Sequence, residues 1–181
     1  ANMSRADDTE TYGRKPIADQ FFALFDLATV AARHDYMAYM EPDTVPVRAL
    51  WLERLYEQAA YGGDFWLKGS MYRGDAEPLR YCYALCGCAE HINGNALYRL
   101  NDERFTRFMR SVHRRMDFVT YNYDAKIMAE LKSAEHWRVW QANAHRFVYT
   151  EFIQHGQHAM RADEVARRFP RTYLVHQARY E

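Results

Sequence analysis

Cysteine and histidine are the residues in this sequence best suited to bind a metal ion. Cys82, Cys86 and Cys88 form a C-x3-C-x-C pattern, and His91 follows three residues after Cys88. Structural zinc sites normally use two pairs of such ligands, and the sequence contains no second pair of cysteines. We therefore expect all three cysteines to be free thiols that pack as small apolar groups, without a metal.

Two further histidines leave a metal site open as an alternative. His155 and His158 lie close together near the end of a predicted helix. If that helix packs against the one that carries Cys88 and His91, imidazole and thiolate groups would meet around one ion. The candidate ligands of this hypothesis are Cys88, His91, His155 and His158. It describes an enzyme or sensor with a small-molecule or metal site near Cys82–His91 and His155–His158.

Common catalytic motifs are absent from the sequence. It contains no G-x-S-x-G, no P-loop, no G-x-G-x-x-G and no H-E-x-x-H, and E-x-x-H does not occur twice. We therefore assign no catalytic residue and no cofactor, and we favour a non-enzymatic protein.

Arginine is concentrated in the stretch NDERFTRFMRSVHRRMD, residues 101–117. Guanidinium groups bind carboxylates and phosphates through paired hydrogen bonds. We predict that this surface binds an acidic partner protein, and its residues are Arg104, Arg107, Arg110, Arg114 and Arg115. A solvated face, neutralised by the more acidic N-terminal half, is the simpler interpretation. Binding to a nucleic-acid backbone is less favoured, because the formal net charge is zero and no known binding module is present.

The same stretch has the apolar spacing of an amphipathic helix. Phe105, Phe108, Met109, Val112 and Met116 follow the i, i+3, i+4 rule and predict one buried face. Asn101 is the predicted N-cap of this helix.

Helical spacing predicts most of the remaining elements as well. We expect helices over 16–40, from 43 or 44 to 62, over 78–93 and over 124–155, and a short one over 163–169. Residues 64–75 are predicted to form a loop, and residues 172–175 an extended tail without a partner strand.

The predicted fold is therefore all-α. With only 8 glycines and 5 prolines, the composition favours long helices in one mostly antiparallel bundle of about five, followed by the extended C-terminal tail. We expect residues 1–13 to be a polar, flexible N-terminus and residues 14–181 to be a single helical domain.

Targeting signals are not apparent in the sequence. No apolar run reaches the roughly 18 residues of a membrane span, and the polar N-terminus lacks the apolar core of a signal peptide. We therefore expect a cytoplasmic protein that does not contact a membrane.

Overall fold

The computed structural model describes residues 14–27, 32–71, 91–116, 122–155 and 160–176. Within these ranges the chain forms six α-helices and seven β-strands. The helices are α1 (Arg14–Asp26), α2 (Trp51–Ala60), α3 (Glu103–Arg114), α4 (Tyr123–Leu131), α5 (Trp137–Asn143) and α6 (Ala162–Arg168). The strands are β1 (Tyr36–Tyr39), β2 (Thr44–Pro46), β3 (Leu67–Gly69), β4 (Ala96–Arg99), β5 (Phe147–Tyr149), β6 (Ile153–His155) and β7 (Leu174–His176).

The prediction of an all-α bundle is wrong, because the strands form two mixed sheets. The first sheet has the order β1-β4-β3-β5, and the second has the order β2-β7-β6. β3 pairs with β5 in parallel and β6 pairs with β7 in parallel, while the other pairs are antiparallel. Strands of three or four residues are too short to show a clear alternation of apolar and polar residues.

The predicted extended tail is also wrong. Its residues lead into β7, which is the central strand of the second sheet, with β2 on one side and β6 on the other. The apolar side chains Leu174 and Val175 are completely buried there. A segment with strong β-propensity therefore does have partners, and they come from distant parts of the chain.

Two long predicted helices end early in the structure. The first one ends at Asp26, and residues 36–39 form β1 instead. The predicted helix over 124–155 is divided into α4, α5, β5 and β6. The aromatic and β-branched residues of 147–153 explain the change to strands, because these side chains favour extended backbone.

Other boundaries are shifted. The second helix starts at Trp51, because Thr44–Pro46 belongs to β2. Part of the predicted loop over 64–75 is the buried strand β3. Most of the predicted helix over 78–93 lies outside the described residues, and its end at 91–93 is not helical. The predicted short helix near 163–169 is confirmed as α6.

The arginine-rich helix is confirmed as α3. Its N-cap is Asp102 rather than Asn101, because the Asp102 carboxylate accepts hydrogen bonds from the backbone N–H groups of Arg104 and Phe105. The four predicted residues of its apolar face inside the helix are buried: Phe105, Phe108, Met109 and Val112. They join the larger of two apolar clusters, together with the phenylalanines of α1.

Candidate functional site

Two carboxylates and a histidine meet where the turn between β1 and β2 reaches the end of β7. The Nε2 atom of His176 lies 2.9 Å from Oε2 of Glu41 and 3.0 Å from Oδ1 of Asp43. The His176 side chain is 5% exposed, whereas that of Asp43 is 53% exposed. We call these three residues the carboxylate–histidine site, and it reaches from the interior to solvent.

A tight turn places both carboxylates on the same side of the chain. The backbone N–H of Thr44 donates to the carbonyl of Glu41 at 2.9 Å, which closes the turn Glu41–Thr44. Pro42 occupies the second position of this turn, where its fixed φ angle is favourable. β2 then pairs with β7 so that Thr44 lies opposite His176. This pairing brings the imidazole beside the two acids.

A buried asparagine orients Glu41. The Nδ2 group of Asn95, which is fully buried, donates to Oε2 of Glu41 at 3.0 Å. Its Oδ1 atom accepts hydrogen bonds from the backbone N–H of Glu41 and from the hydroxyl of Thr44. Asn93 in turn accepts from the side-chain amide of Asn95 at 2.9 Å. The hydrogen bond with His176, helped by Asn95, lowers the pKa of Glu41, although burial opposes this effect.

A second histidine contacts the other nitrogen of His176. The Nδ1 atoms of His155 and His176 lie 2.7 Å apart, and the two rings are stacked. Burial, together with the nearby His176, lowers the pKa of His155 to about 3. His155 is therefore neutral at pH 7 and can accept a hydrogen bond from the Nδ1–H group of His176.

The geometry around Nε2 of His176 requires either an N–H donor or a cation between this atom and the carboxylate oxygens. A nitrogen lone pair and two carboxylate oxygens would repel one another at about 3 Å in this partly buried position. Either the proton of Nε2 or a metal ion must therefore lie between them. The choice between proton and metal decides what the site can do chemically.

Next to this site lies a fully ionised aspartate. Asp124 accepts hydrogen bonds from the backbone N–H groups of Gly94 at 3.1 Å and Ala125 at 2.8 Å, and His91 is 3.5 Å away. Burial raises the pKa of Asp124, but His91 and the N–H donors outweigh it and lower the pKa to about 2. Gly94 is required here, because a Cβ atom would lie 1.8 Å from the Tyr123 hydroxyl.

The metal ligands predicted from the sequence fall into two groups, those outside the described residues and those in the buried polar region. Cys82, Cys86, Cys88 and His158 lie outside the described residues. His91 and His155 belong to the buried polar region, where they contact Asp124 and His176 respectively. Within the described residues, the group whose ligand atoms converge consists of Glu41, Asp43 and His176. Sequence reasoning missed all three, although the Glu-Pro-Asp turn is a visible signal for two neighbouring carboxylates.

The five predicted arginines divide into two groups. Arg110 donates to Asp26 at 2.7 Å and to the carbonyl of Phe25, and Arg115 forms ion pairs with Glu130 and Glu135. These two tie α3 to neighbouring helices. The remaining three are exposed and have no side-chain hydrogen bond or ion pair within the part of the chain that the structure describes. They are Arg104, Arg107 and Arg114.

Comparisons with known proteins supply no assignment. No protein-family model, no curated protein and no solved structure matches this chain. Among the described residues, no helix combines the length and apolar character needed to cross a membrane.

Proposed function

We propose that the carboxylate–histidine site binds a divalent metal ion through Glu41, Asp43 and His176. The observation that carries the proposal is the position of Nε2 of His176 within 3.0 Å of two carboxylate oxygens. This arrangement gives one imidazole and two carboxylate ligands. Their mixed chemistry suits Zn²⁺, Mn²⁺ or Fe²⁺ better than Ca²⁺, which prefers oxygen ligands alone.

The spacing of the ligand atoms fits a metal ion as well as it fits an N–H hydrogen bond. Neighbouring ligands of a six-coordinate ion, each about 2.1 Å from it, are roughly 3 Å apart. The measured separations from Nε2 of His176 are 2.9 Å to Glu41 and 3.0 Å to Asp43. Little movement of these side chains would therefore be needed when an ion replaces the Nε2 proton.

His155 has the position of a supporting group for the metal ligand. Histidines that bind a metal through one nitrogen commonly donate the other N–H to a nearby acceptor. Neutral His155 is placed to accept from Nδ1 of His176 at 2.7 Å. Asn95 gives the same kind of support to Glu41. Both carboxylate and imidazole are thus held in the orientation that an ion requires.

Three protein ligands would leave coordination positions open to water. Asp43 is exposed, so solvent and small substrates can reach this side of the site. A divalent ion in such an open site lowers the pKa of its bound water and makes hydroxide available near neutral pH. We therefore place the protein in the class of water-activating metal proteins, with ligands that differ from those of the metal-site alternative near Cys82–His91 and His155–His158.

Metal titration tests the proposal. Protein treated with a chelator is titrated with Zn²⁺ and Mn²⁺ by calorimetry, with His176→Gln and Asp43→Asn as site variants. His113→Gln is the matched control, because His113 pairs with a single carboxylate, Asp19, at 2.8 Å on the surface. We expect one ion per wild-type and control chain and at least a 100-fold weaker affinity in His176→Gln. Folded wild-type protein that binds no ion would mean that a proton alone joins the three groups.

Binding of an acidic partner protein remains a second candidate function. The observation that favours it is the exposure of Arg104, Arg107 and Arg114 without partners in the described part of the chain. A labelled poly-glutamate peptide tests it: binding should weaken with salt and be lost in Arg107→Glu/Arg114→Glu. Equal binding by this variant would remove the hypothesis. The cytoplasmic location also stays a prediction.

A further inference from the structure

His136, the residue before α5, lies between a serine of α3 and a glutamate of α4. Its Nε2 atom is 3.3 Å from the hydroxyl of Ser111, which belongs to α3. Its Nδ1 atom is 3.5 Å from Oε2 of Glu130, near the end of α4, and 3.2 Å from the hydroxyl of Ser133. We call Ser111, His136 and Glu130 the serine relay. It shares no residue with the carboxylate–histidine site.

Packing fixes the orientation of the His136 ring. The ring meets Phe108 edge-on, with centroids 5.3 Å apart, and the His136 backbone N–H donates to the Ser133 hydroxyl. With the Nδ1–H group directed at Ser133 and Glu130, the lone pair of Nε2 faces Ser111. Lys126 holds the Glu130 carboxylate from the other side at 2.8 Å. A serine, a base and a nearby acid are therefore arranged in the order that nucleophilic catalysis uses, with Ser133 as the nearest partner of Nδ1.

The serine relay differs in two respects from a polar network whose hydrogen bonds serve only to stabilise the fold. His136 and Glu130 are buried, but Ser111 as a residue is partly exposed. In addition, Arg107 and Arg114 are one helical turn away from Ser111 on either side. These arginines are exposed and have no ion-pair partner among the described residues. Two guanidinium groups without an ion-pair partner among the described residues therefore lie on the same side of α3 as Ser111.

We propose that Ser111 is a nucleophile for esters that carry a negative charge. Its oxygen forms a bond to the ester carbonyl carbon while its proton passes to Nε2 of His136. The ester C–O bond then breaks, and the leaving alkoxide takes that proton. Water next attacks the acyl-serine with His136 as the base, which releases a carboxylic acid and restores Ser111. Glu130 stabilises the charged imidazole, and Arg107 and Arg114 bind the anionic group of the ester.

The location of Ser111 inside a helix has a chemical consequence. The backbone N–H groups around it are used in helical hydrogen bonds, so they cannot stabilise the oxyanion of the tetrahedral intermediate. In the proposal that stabilisation falls to the guanidinium groups of Arg107 and Arg114, which also bind the anionic group of the ester and so favour anionic substrates. The helix also explains why no G-x-S-x-G motif accompanies this serine, since that motif belongs to a strand-to-helix turn.

Labelling with a fluorophosphonate probe tests the nucleophile. Its reaction forms an O–P bond at the serine and releases fluoride, and peptide mass spectrometry identifies the modified residue. We expect the label at Ser111, its loss in Ser111→Ala, and a rate at least 100-fold lower in His136→Gln. His113→Gln, on the same helix but outside the relay, should be labelled like the wild type.

Hydrolysis of p-nitrophenyl esters gives a second measurement. The succinate monoester should react at least 10-fold faster than the neutral butyrate ester, and Arg107→Gln/Arg114→Gln should abolish this preference. Protein stripped of metal should behave identically, which separates this proposal from the metal site. Folded wild-type protein without label at Ser111, or labelling unchanged in folded His136→Gln, would overturn the proposal. If His136→Gln does not fold, Glu130→Gln takes its place in the same comparison.

Discussion

His176 and His136 occupy two buried polar regions that differ in what meets the Nε2 atom. At His176 the Nε2 atom faces two carboxylate oxygens, and Nδ1 faces a neutral histidine. At His136 the Nε2 atom faces a hydroxyl, and Nδ1 faces a serine and a glutamate. The first arrangement attracts a cation, whereas the second offers a lone pair to a proton. The surroundings, more than the residue type, therefore decide the chemistry of each histidine.

The two regions also differ in how the chain builds them. The carboxylate–histidine site depends on strand pairing between distant segments, with Thr44 of β2 opposite His176 of β7. The serine relay comes from the successive helices α3 and α4 and the residue before α5. Substitutions in the apolar face of α3 should therefore disturb the relay directly and the metal site only through global unfolding.

The largest expected effect comes from Phe108→Ala. Phe108 is 4% exposed and touches His136, so removal of its ring should lower the free energy of unfolding by about 3–5 kcal/mol. Urea denaturation measures this loss. The folded fraction should keep its metal affinity but lose reactivity at Ser111. A loss below about 1 kcal/mol, or equal damage to both regions, would contradict the separation of the two sites.

The next largest expected effect is a loss of folding stability in acid when Asp124, next to the carboxylate–histidine site, becomes protonated. The pKa of Asp124 is about 2 in the folded protein, below its ordinary value of 3.8, so the ionised form stabilises the fold. This contribution, about 2 kcal/mol, is complete above roughly pH 4 and is lost as the pH falls through 2. Unfolding in urea at several pH values measures it, and Asp124→Asn should remove this part of the pH dependence.

Asp163 is the matched control for that experiment. Its ion pairs with Arg167 and Arg161 also lower its pKa to about 2, yet the side chain is exposed. Salt screens such surface pairs, because the Debye length falls below about 10 Å when the ionic strength exceeds about 0.1 M. In about 0.5 M salt, Asp163→Asn should therefore change the pH dependence of unfolding very little. If Asp124→Asn and Asp163→Asn change the pH dependence of unfolding equally, burial does not determine how much Asp124 contributes to stability.

The smallest effects are expected on the outer face of α3. Arg110→Glu removes the ion pair with Asp26 and places two acids together, which should cost about 1 kcal/mol. Arg107→Glu should change stability by less than about 0.5 kcal/mol, because Arg107 is exposed and has no ion pair in the described residues. Thermal unfolding of both variants measures the difference. A reversed order would show that Arg107, not Arg110, supports the fold.

Sequence periodicity predicted α3 well, because a helix with one apolar face leaves a clear pattern over its whole length. It failed for β1 and β7, whose few residues also fit a helical spacing or a loose tail. The metal hypothesis selected His91 and His155, and both belong to the buried polar region. It missed His176, because only the pairing of β7 with β2 brings that residue to the two acids.

The pairing of β2 with β7 also determines which of the two regions can form first while the polypeptide is being synthesised. During translation Glu41 and Asp43 are synthesised long before His176. The carboxylate–histidine site therefore cannot form until almost the whole described chain has been made. Contacts between residues so far apart in sequence form slowly, because the intervening chain has to lose much conformational freedom. The serine relay can close as soon as α5 has emerged. A nascent chain would therefore assemble the proposed nucleophile before the proposed metal site.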